Sequence, residues 1–362
     1  MYVETLHLTN FRNYEEQTIA FCPYTNMITG DNAQGKTNLL EAVYLFSQGK
    51  SHRTKADKEL IGFGKDFASL SLTFHDKSRD HQAVMKFSKS GRKAVKMNGV
   101  SLTKLSMLLS YLNAVIFSPE DLNLVKGSPG ARRKFLDSAI SQLYPNYLGT
   151  LIDYFKVLGQ KNSLLKTLKR GRNHSDATLS VWNEQLASLC VTIMTYRKKF
   201  LERLSDFASQ IHDEISGETL EISYTPSVNC GIIDDRSLLL QLEEQQEREI
   251  EFGSALLGIH RDDVRFFING KDVRMYGSQG QQRTVVLSLK MAQTEYIYSE
   301  KDEYPILLLD DIMSELDQSR RRYLSRRIRD KQVLITCTDT DVLESDSHTK
   351  LFYVQNGHIK EG

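Results

Sequence analysis

The spacing of apolar residues divides the chain into three parts, the first of which is rich in predicted strands. Up to about residue 122, apolar and polar positions alternate, as at Leu70, Leu72 and Phe74, and pairs such as Asn98-Gly99 separate the runs. A period of two predicts strands with one buried face, joined by tight turns. We therefore expect short strands over residues 1–30 and an antiparallel ribbon built onto the strand that ends near residue 29.

The middle of the chain has a helical period. From about Pro129, apolar residues recur every three or four positions, and they do so with few lapses from Leu186 to Ile215. The second stretch is about four heptads long, which is enough for a packed antiparallel helix pair. Such stripes are typical of core packing, so they predict an inserted helical arm and indicate no chemistry.

Strands and helices alternate in the last part of the chain. Apolar strands are predicted at 306–309, 333–335 and 351–354, with helices after Gln281 and near 320–329. This alternation indicates a parallel sheet covered by helices. The predicted fold class is α/β, with a mixed sheet and an antiparallel ribbon. We expect one lobe from residues 1–122 and 285–362 and a second lobe, with the helical arm, from residues 123–284.

Composition restricts the class of protein but indicates no partner. The 362 residues are 40% apolar and 26% charged, and a net charge of +1 hides any local cluster. The four cysteines form no C-x-x-C pair, and no basic leader or run of about 18 apolar residues occurs. We therefore expect neither a disulfide framework, a zinc site nor a membrane span, and we expect a cytoplasmic protein in a reducing compartment.

Residues 30–37, GDNAQGKT, fit the phosphate-binding loop pattern G-x-x-x-x-G-K-[ST]. Its glycines let successive N–H groups turn towards phosphates, and the following helix directs its positive end to the same place. Lys36 is expected to reach the outer phosphates and Thr37 to complete a Mg²⁺ shell. The alternative is a glycine loop that only turns a strand into a helix. The predicted nucleotide-binding residues here are Gly30, Asp31, Asn32, Ala33, Gln34, Gly35, Lys36, Thr37 and Asn38.

Two carboxylates, Asp310 and Asp311, end the apolar strand that begins at Ile306. A buried parallel strand can deliver an acid beside the phosphate loop. Asp310 is then expected to hold Mg²⁺, directly or through water, and Asp311 to orient or deprotonate the attacking water. Strands also end in Asp-Asp as a simple turn signal. The predicted catalytic residues are Lys36, Asp310 and Asp311, and the predicted metal ligands are Thr37 and Asp310.

A second anion site is predicted at Ser278-Gln279-Gly280-Gln281, directly before an apolar helix. One chain that binds one nucleotide does not need two such sites. We therefore expect a homodimer in which Ser278, Gly280 and Gln281 cover the nucleotide held by the partner. A polar cap on an ordinary helix is the alternative. The run Ser314-Glu315-Leu316-Asp317 has the composition of a loop on the same dimer face, although it also suits plain helix capping.

In this order, the motifs resemble the ABC-type ATPase heads of the SMC and RecF class. The runs that carry the resemblance are LTNFRNY at 8–14, FSPEDL at 117–122, GIHRDD at 258–263 and SQGQQRT at 278–284. The resemblance implies an ABC-type ATPase head that uses ATP and Mg²⁺, dimerises on ATP and binds DNA at gaps or junctions. It also implies work with RecO and RecR to load RecA during DNA repair, replication restart and the SOS response.

Further residue roles come from the resemblance alone. Arg12 and Asn13 are expected to flank the nucleotide and Arg53 to act on its phosphates. The chain departs from the wider ABC pattern at three places: no glutamine lies near Glu120, Asp311 stands where glutamate is common, and Cys337-Thr338-Asp339 stands where a histidine is expected. These departures favour a slow, switch-like ATPase.

Two basic clusters are candidates for DNA contact. One is Lys156, Lys161, Lys166, Lys169, Arg170 and Arg172, and the other is Arg320, Arg321, Arg322, Arg326, Arg327 and Arg329. Clusters of this kind neutralise phosphates, but solvated basic faces are equally common. Since neither cluster is an aromatic-interleaved basic run of the kind that stacks bases, duplex-backbone recognition without sequence preference is the hypothesis.

Three other functions compete with an ATP-gated DNA clamp. A transport ATPase subunit is disfavoured by the helical arm and by the lack of an apolar coupling surface. A P-loop kinase has no need of Ser278-Gln279-Gly280-Gln281. A scaffold that binds ATP without turnover remains open.

Overall fold

The computed structural model describes residues 1–54, 56–171, 176–228, 234–338 and 349–362. Its strands are β1 (Tyr2–Phe11), β2 (Tyr14–Ala20), β3 (Thr25–Thr29), β4 (Phe67–His75), β5 (Asp80–Ser88), β6 (Lys93–Met97), β7 (Val100–Ser101), β8 (Ala114–Phe117), β9 (Leu220–Thr225), β10 (Asp263–Ile268), β11 (Lys271–Asp272), β12 (Ile306–Asp310), β13 (Val333–Cys337), β14 (Thr349–Gln355) and β15 (His358–Glu361). Its α-helices are α1 (Lys36–Gln48), α2 (Asn123–Lys126), α3 (Pro129–Leu143), α4 (Pro145–Lys169), α5 (Asp176–Ser216), α6 (Asp235–Glu244), α7 (Gln246–Phe252), α8 (Val273–Tyr276), α9 (Gln279–Lys301), α10 (Ile312–Glu315) and α11 (Gln318–Arg327).

The predicted ribbon forms, but its predicted attachment is wrong. The antiparallel sheet has the order β2-β1-β4-β5-β6-β7, so the ribbon β4–β7 is joined through β1. The strand before the phosphate loop, β3, belongs to another sheet, in which β13 and β14 pair with it in parallel on its two sides. Because both hydrogen-bonding edges of β3 are occupied, no ribbon strand can pair with it.

The second sheet brings the two ends of the chain together. Its order is β15-β14-β3-β13-β12-β8, and its pairs are parallel except for the hairpin of β14 and β15. The central strands are buried on both faces, as expected for parallel strands covered by helices. The hairpin strand β15 lies beyond the strand predicted at 351–354. Since β12 and β3 are separated only by β13, the acidic strand and the phosphate loop end at the same edge.

Alternate residues of this sheet pack into two different cores. On β12, Leu307 and Leu309 belong to a core shared with the helical part of the chain, whereas Ile306 and Leu308 belong to a core shared with α1 and the antiparallel sheet. This follows from the period of two along a strand. The parallel sheet is therefore the layer that joins the helical part to the phosphate-loop helix.

The predicted helix pair is confirmed as α4 packed against α5. Near the start of α4, Tyr147 packs on Tyr196 with ring centroids 5.6 Å apart. Two turns later, Tyr154 contacts Cys190, which precedes Tyr196 on α5, so the two helices run antiparallel. No α-helix in the described ranges is long and apolar enough to cross a membrane.

The run GIHRDD at residues 258–263 lies at the base of this helix pair and binds a buried arginine. Arg197 of α5 donates to Asp262 Oδ2 at 3.0 Å, to Asp137 Oδ1 at 2.8 Å and to the Ile259 carbonyl at 2.9 Å. Its guanidinium and the Asp262 carboxylate are each 1% exposed. Because a charge without its partner is costly in such a place, these bonds hold α3, α5 and the start of β10 in one arrangement.

One lysine of the first basic cluster is buried, which removes it from any DNA-binding surface. Lys161 Nζ lies 2.6 Å from Glu249 Oε2, and both side chains are 0% exposed. Glu249 also accepts a hydrogen bond from the Leu256 N–H at 2.8 Å. The pair therefore joins α4 to α7, and the interpretation of Lys161 as a DNA contact is wrong. Arg172 lies outside the described residues.

We expect Lys161→Met to lower the free energy of unfolding by about 3–5 kcal/mol, because Glu249 is then left as a buried, unpaired carboxylate. The double variant Lys161→Met/Glu249→Gln should recover most of this loss. Trp182 is the only tryptophan of the chain and lies on α5, so its fluorescence in a urea titration reports on this part. Lys156→Met, at an exposed position of the same helix, is the control and should change stability by less than about 0.5 kcal/mol. Equal effects at positions 156 and 161 would contradict the prediction.

Candidate nucleotide-binding site

The predicted phosphate-binding loop connects β3 to α1 through a backbone that requires glycine at both ends. Gly30 and Gly35 have φ values of 147° and 120°. A Cβ on Gly30 would lie 2.3 Å from the Val354 carbonyl oxygen, and one on Gly35 would lie 2.6 Å from Asn13 Nδ2. A side chain at either place is therefore excluded by strain and by contact with neighbouring segments.

The lysine of the loop is folded back over the loop itself. Lys36 is 8% exposed, and its Nζ donates to the carbonyls of Gly30 and of Asp31, the latter at 3.0 Å. Residues 31–33 are exposed at the tip of the loop. Lys36 begins α1, so its charge and the free N–H groups of the first helical turn lie on the same side. This arrangement suits an anion with several oxygens.

Thr37 and Asp310 meet at the edge of the parallel sheet. Thr37 Oγ1 donates to Asp310 Oδ1 at 2.8 Å, and Thr336 Oγ1 on the intervening strand β13 donates to the same oxygen at 2.9 Å. Burial raises the pKa of Asp310, and the hydrogen bonds from Thr37 and Thr336 partly offset that rise. The predicted hydroxyl and carboxylate ligands are therefore adjacent.

These oxygens are a suitable donor set for Mg²⁺. A protein commonly holds this ion with one or two oxygen side chains and leaves the other positions to phosphate and water. Thr37 and Asp310 supply one hydroxyl and one carboxylate. The described residues contain no cluster of three or more His, Cys, Asp or Glu side chains that could hold a metal ion, so an all-protein metal cage is not indicated there.

The second carboxylate is directed by an unusual backbone conformation. Asp311 has a φ of 51°, which is uncommon for a residue other than glycine. Its N–H donates to Thr336 Oγ1 at 2.9 Å, and its carbonyl accepts from Ser314 Oγ at 2.8 Å. Asp311 is half-buried and lies directly before α10. The two neighbouring carboxylates therefore have different backbone conformations, Asp310 in the strand and Asp311 in the left-handed region.

Two turns from distant parts of the chain support the loop from the side. In the β1–β2 turn, Asn13 Nδ2 donates to the Gln34 carbonyl at 2.7 Å and Tyr14 OH donates to the Gly35 carbonyl at 2.9 Å. In the β14–β15 turn, the Asn356 N–H donates to Gln34 Oε1 at 2.6 Å. Asn38 Nδ2 also donates to Asn13 Oδ1 at 2.8 Å. The loop is thus held from both ends of the chain.

A buried glutamate on α1 pairs with both arginines of the predicted site, Arg12 and Arg53. Glu41 accepts from Arg12 Nε at 2.9 Å and from Arg12 Nη2 at 2.7 Å, and its Oε2 lies 3.5 Å from Arg53 Nη1. Arg53 Nη1 also donates to Asn38 Oδ1 at 2.7 Å. The predicted residues Arg12, Asn13, Asn38 and Arg53 therefore form one hydrogen-bonded layer beside the phosphate loop.

The turn at residues 278–281 is not joined to this layer within one chain. Among the described residues, no hydrogen bond or ion pair connects it to the phosphate loop. Ser278 caps α9: its Oγ accepts from the Gln281 N–H at 3.2 Å, and Gln281 Oε1 accepts from the Ser278 N–H at 2.9 Å. Gln281 Nε2 donates to Glu218 at 2.7 Å. Ser278 and Gln279 are exposed, so the turn is presented to solvent.

Two arginines connect this turn to the segment after Asp311. Arg283 Nη1 donates to the Glu315 carbonyl at 2.8 Å. Arg320 donates to Thr284 Oγ1 at 2.7 Å and to the Gly280 carbonyl at 3.1 Å, and it pairs with Asp317. The turn at 278–281 and the run 314–317 therefore share one face of the molecule.

Comparison with known proteins places the chain in a family. The family model described as "RecF/RecN/SMC N terminal domain" matches residues 2–360. The DNA replication and repair protein RecF of Geobacillus thermodenitrificans (strain NG80-2) is 42% identical, and that of Geobacillus sp. (strain WCH70) is 44% identical; the matches cover 99% of this chain and 99% and 98% of the relatives. The chain belongs to the RecF family.

Solved structures agree with this assignment. A structure described as the recombination mediator protein RecF-ATPrS in the RecFOR pathway has a TM-score of 0.94 at 35% identity and covers 99% of this chain and 98% of that one. An Smc head bound to the C-terminal winged-helix domain of ScpA has a TM-score of 0.58 at 15% identity, covers 100% of this chain and 97% of that one, and shows the fold alone. The predicted ABC-type ATPase head with an inserted helical arm is confirmed for this RecF-family chain.

Several residues of the site were missed by the sequence analysis. Glu41, Thr336 and Asn356 each touch a predicted site residue, yet none lies in a motif that the sequence analysis used for the site. Tyr14 ends the run at 8–14 but was given no role. The only local signal was for Glu41, which is one helical turn beyond Thr37 on an otherwise apolar helix. The others are recognisable only from the way the strands pair.

We expect Gly35→Ala to abolish nucleotide binding and to cost about 1–3 kcal/mol of stability, because the backbone conformation is strained and the new Cβ would displace Asn13 or Tyr14. Gly91→Ala is the control: Gly91 has a φ of 79°, and a Cβ there meets nothing within 4 Å. The control should be destabilised by strain alone and should bind nucleotide normally. Titration with a fluorescent nucleotide and thermal unfolding measure the two effects. Normal binding by the Gly35 variant would refute the assignment of this loop.

Proposed function

We propose that this chain is an ATP-dependent DNA-binding recombination mediator that dimerises on ATP and hydrolyses it slowly. The observation that carries the proposal is the contact between Thr37 and Asp310, at 2.8 Å, beside a complete phosphate-binding loop. It supports binding of a nucleotide together with Mg²⁺. The RecF relatives, one of them a solved structure described as RecF-ATP, support ATP as that nucleotide.

The residues act on ATP by binding and orientation. Lys36 and the N–H groups of the loop hold the phosphates, and Thr37 and Asp310 hold Mg²⁺. The bound ion neutralises the charge that develops on the phosphate oxygens. Asp311 accepts a proton from, or orients, the attacking water. Because Asp311 replaces the glutamate common in this position and is shorter by one methylene, we propose slow turnover that acts as a switch.

The exposed turn at residues 278–281 supports a site shared between two copies. Among the described residues of one chain, no hydrogen bond or ion pair joins this turn to the phosphate loop, while its helix N-terminus is suited to an anion. In the proposed dimer, Ser278, Gly280 and Gln281 of one copy cover the outer phosphate held by Lys36 of the other. Two identical copies related by a two-fold axis then form two complete sites.

Mixing two inactive variants tests this shared site. We expect Lys36→Ala and Ser278→Arg each to lack ATP hydrolysis. Their mixture should regain roughly a quarter of the wild-type rate, since half of the dimers are mixed and each has one complete site. Phosphate release measures the rate, and sedimentation with and without ATP measures the dimer. No recovery in the mixture, or monomers throughout, would contradict a shared site. Dimers without any hydrolysis would favour a scaffold.

The surface available for DNA is smaller than the sequence suggested. Arg320, Arg321 and Arg327 of α11 bind Gly280, Leu316 and Glu214 within the chain. The exposed basic residues that remain are Arg322, Arg326 and Arg329 near α11, and Lys156, Lys166, Lys169 and Arg170 at or near α4. We propose that these residues contact the phosphate backbone of double-stranded, gapped or junction DNA without reading its sequence.

Charge reversal on each helix identifies the DNA-binding surface. Arg322→Glu/Arg326→Glu changes one face of α11, and Lys166→Glu/Arg170→Glu changes one face of α4. For the pair that contacts DNA, we expect weaker ATP-dependent binding and a salt dependence whose slope falls by about 0.9 for each lost phosphate contact. The other pair is its control. Unchanged binding after both reversals would contradict DNA contact through these helices.

We propose that the chain acts in the cytoplasm with RecO and RecR to load RecA at gaps, in repair, replication restart and the SOS response. Two solved RecF relatives are described as acting in the RecFOR pathway, which supports this proposal. A transport subunit would instead form a stable complex with a membrane partner.

A further inference from the structure

Glu41 is a buried charge in the nucleotide-binding layer to which the proposed mechanism gives no role. Its side chain is 0% exposed, and it accepts hydrogen bonds from Arg12 and, at 2.5 Å, from Ser51 Oγ. Burial by itself would raise the pKa of Glu41, but the hydrogen bonds from Arg12 and Ser51 and the charges of Arg12 and Arg53 lower it. A buried carboxylate that stays ionised is costly unless positively charged groups and hydrogen-bond donors pair with it.

The position of Glu41 on α1 places its partners beside the phosphates. It lies four residues after Thr37 and three after Asn38, so the three side chains share one face of the helix. Asn38 Oδ1 accepts from Arg53 Nη1, and the Arg53 charge also acts on the Asp310 carboxyl. The Arg53 guanidinium therefore lies against the helix face that Asn38 and Glu41 share with Thr37.

The two arginines differ in how many of their donors are used. Arg12 donates from Nε and Nη2 to Glu41 and from Nη1 to the Glu59 carbonyl, so all three nitrogens are engaged. Arg53 uses only Nη1 in hydrogen bonds within the described residues, and its side chain is 39% exposed. Arg12 thus fixes the orientation of Glu41, and Arg53 keeps Nε and Nη2 for a ligand.

We propose that Glu41 is a positioning residue that holds Arg53 over the outermost phosphate of the bound nucleotide. The inference rests on the proposed function, because it requires a nucleotide in the loop. The carboxylate also compensates two guanidinium groups that would otherwise repel each other at close range. Glutamine at this position keeps the shape and the acceptor oxygen but loses that compensation, so Arg53 is free to leave the site.

The test compares triphosphate with diphosphate binding in Glu41→Gln. Because Arg53 is proposed to touch only the outermost phosphate, we expect affinity for ATPγS to fall about tenfold and affinity for ADP by less than about twofold. A merely structural defect lowers both affinities equally. Glu15→Gln is the control: it removes a carboxylate on β2 that pairs with Lys65 and not with either arginine, and it should change neither affinity.

A double-mutant cycle shows whether Glu41 acts through Arg53. In an Arg53→Ala background, Glu41→Gln should cause no further loss of ATPγS affinity, since the group it positions is absent. Additive losses, or equal losses for ATPγS and ADP, would overturn the proposal. If Glu41→Gln does not fold, as judged by thermal unfolding without nucleotide, Glu41→Asp keeps the charge with a shorter reach and should show the same selective loss to a smaller extent. Failure of the wild-type chain to bind ATPγS would refute the proposed function instead.

Discussion

The contact between Thr37 and Asp310 is the constraint on which the site depends. The two residues are 273 positions apart, so the chain must close its parallel sheet before they can meet. Thr336 shows how this is done: on β13 it pairs with Ile28 of β3 on one side and with Asp310 of β12 on the other. The Thr336 hydroxyl donates to the Asp310 carboxylate and accepts from the Asp311 N–H. A change of register by one residue would turn this side chain to the other face.

The same closure of the sheet determines where the helical arm is connected to the head. The chain leaves the sheet after β8 and returns through α9, so the arm is inserted between two elements of the head. The end of α5 contacts segments near the site. Glu214 pairs with Arg327 of α11, and Glu218, just beyond α5, accepts from Gln281 in the turn at 278–281. A displacement of α5 would therefore reach both the exposed turn and α11.

Much of the head was predictable because its functional residues lie in short sequence motifs. The phosphate loop and the pair Asp310-Asp311 depend on local spacing, and the arm on a sustained helical period. What failed depends on long-range contacts. An alternating apolar pattern does not show which strands pair with each other. Both edges of β3 are occupied, so the predicted attachment of the ribbon to that strand was wrong. A count of basic residues does not reveal that Lys161 faces Glu249 in the interior. The same limit hid Glu41, whose partners lie on two other segments.

The helix cap at residues 278–281 is already formed in a single chain, but it is weak. This combination suits a switch. Ser278 Oγ satisfies one of the free N–H groups at the start of α9 through a long bond of 3.2 Å. Such a cap contributes about 1 kcal/mol, and the remaining N–H groups of the first turn have no partner within the helix. A phosphate oxygen from another molecule can replace the hydroxyl at small cost and gain a charge-assisted bond. In the proposed dimer, assembly would therefore depend on the nucleotide, while the free chain keeps a capped helix.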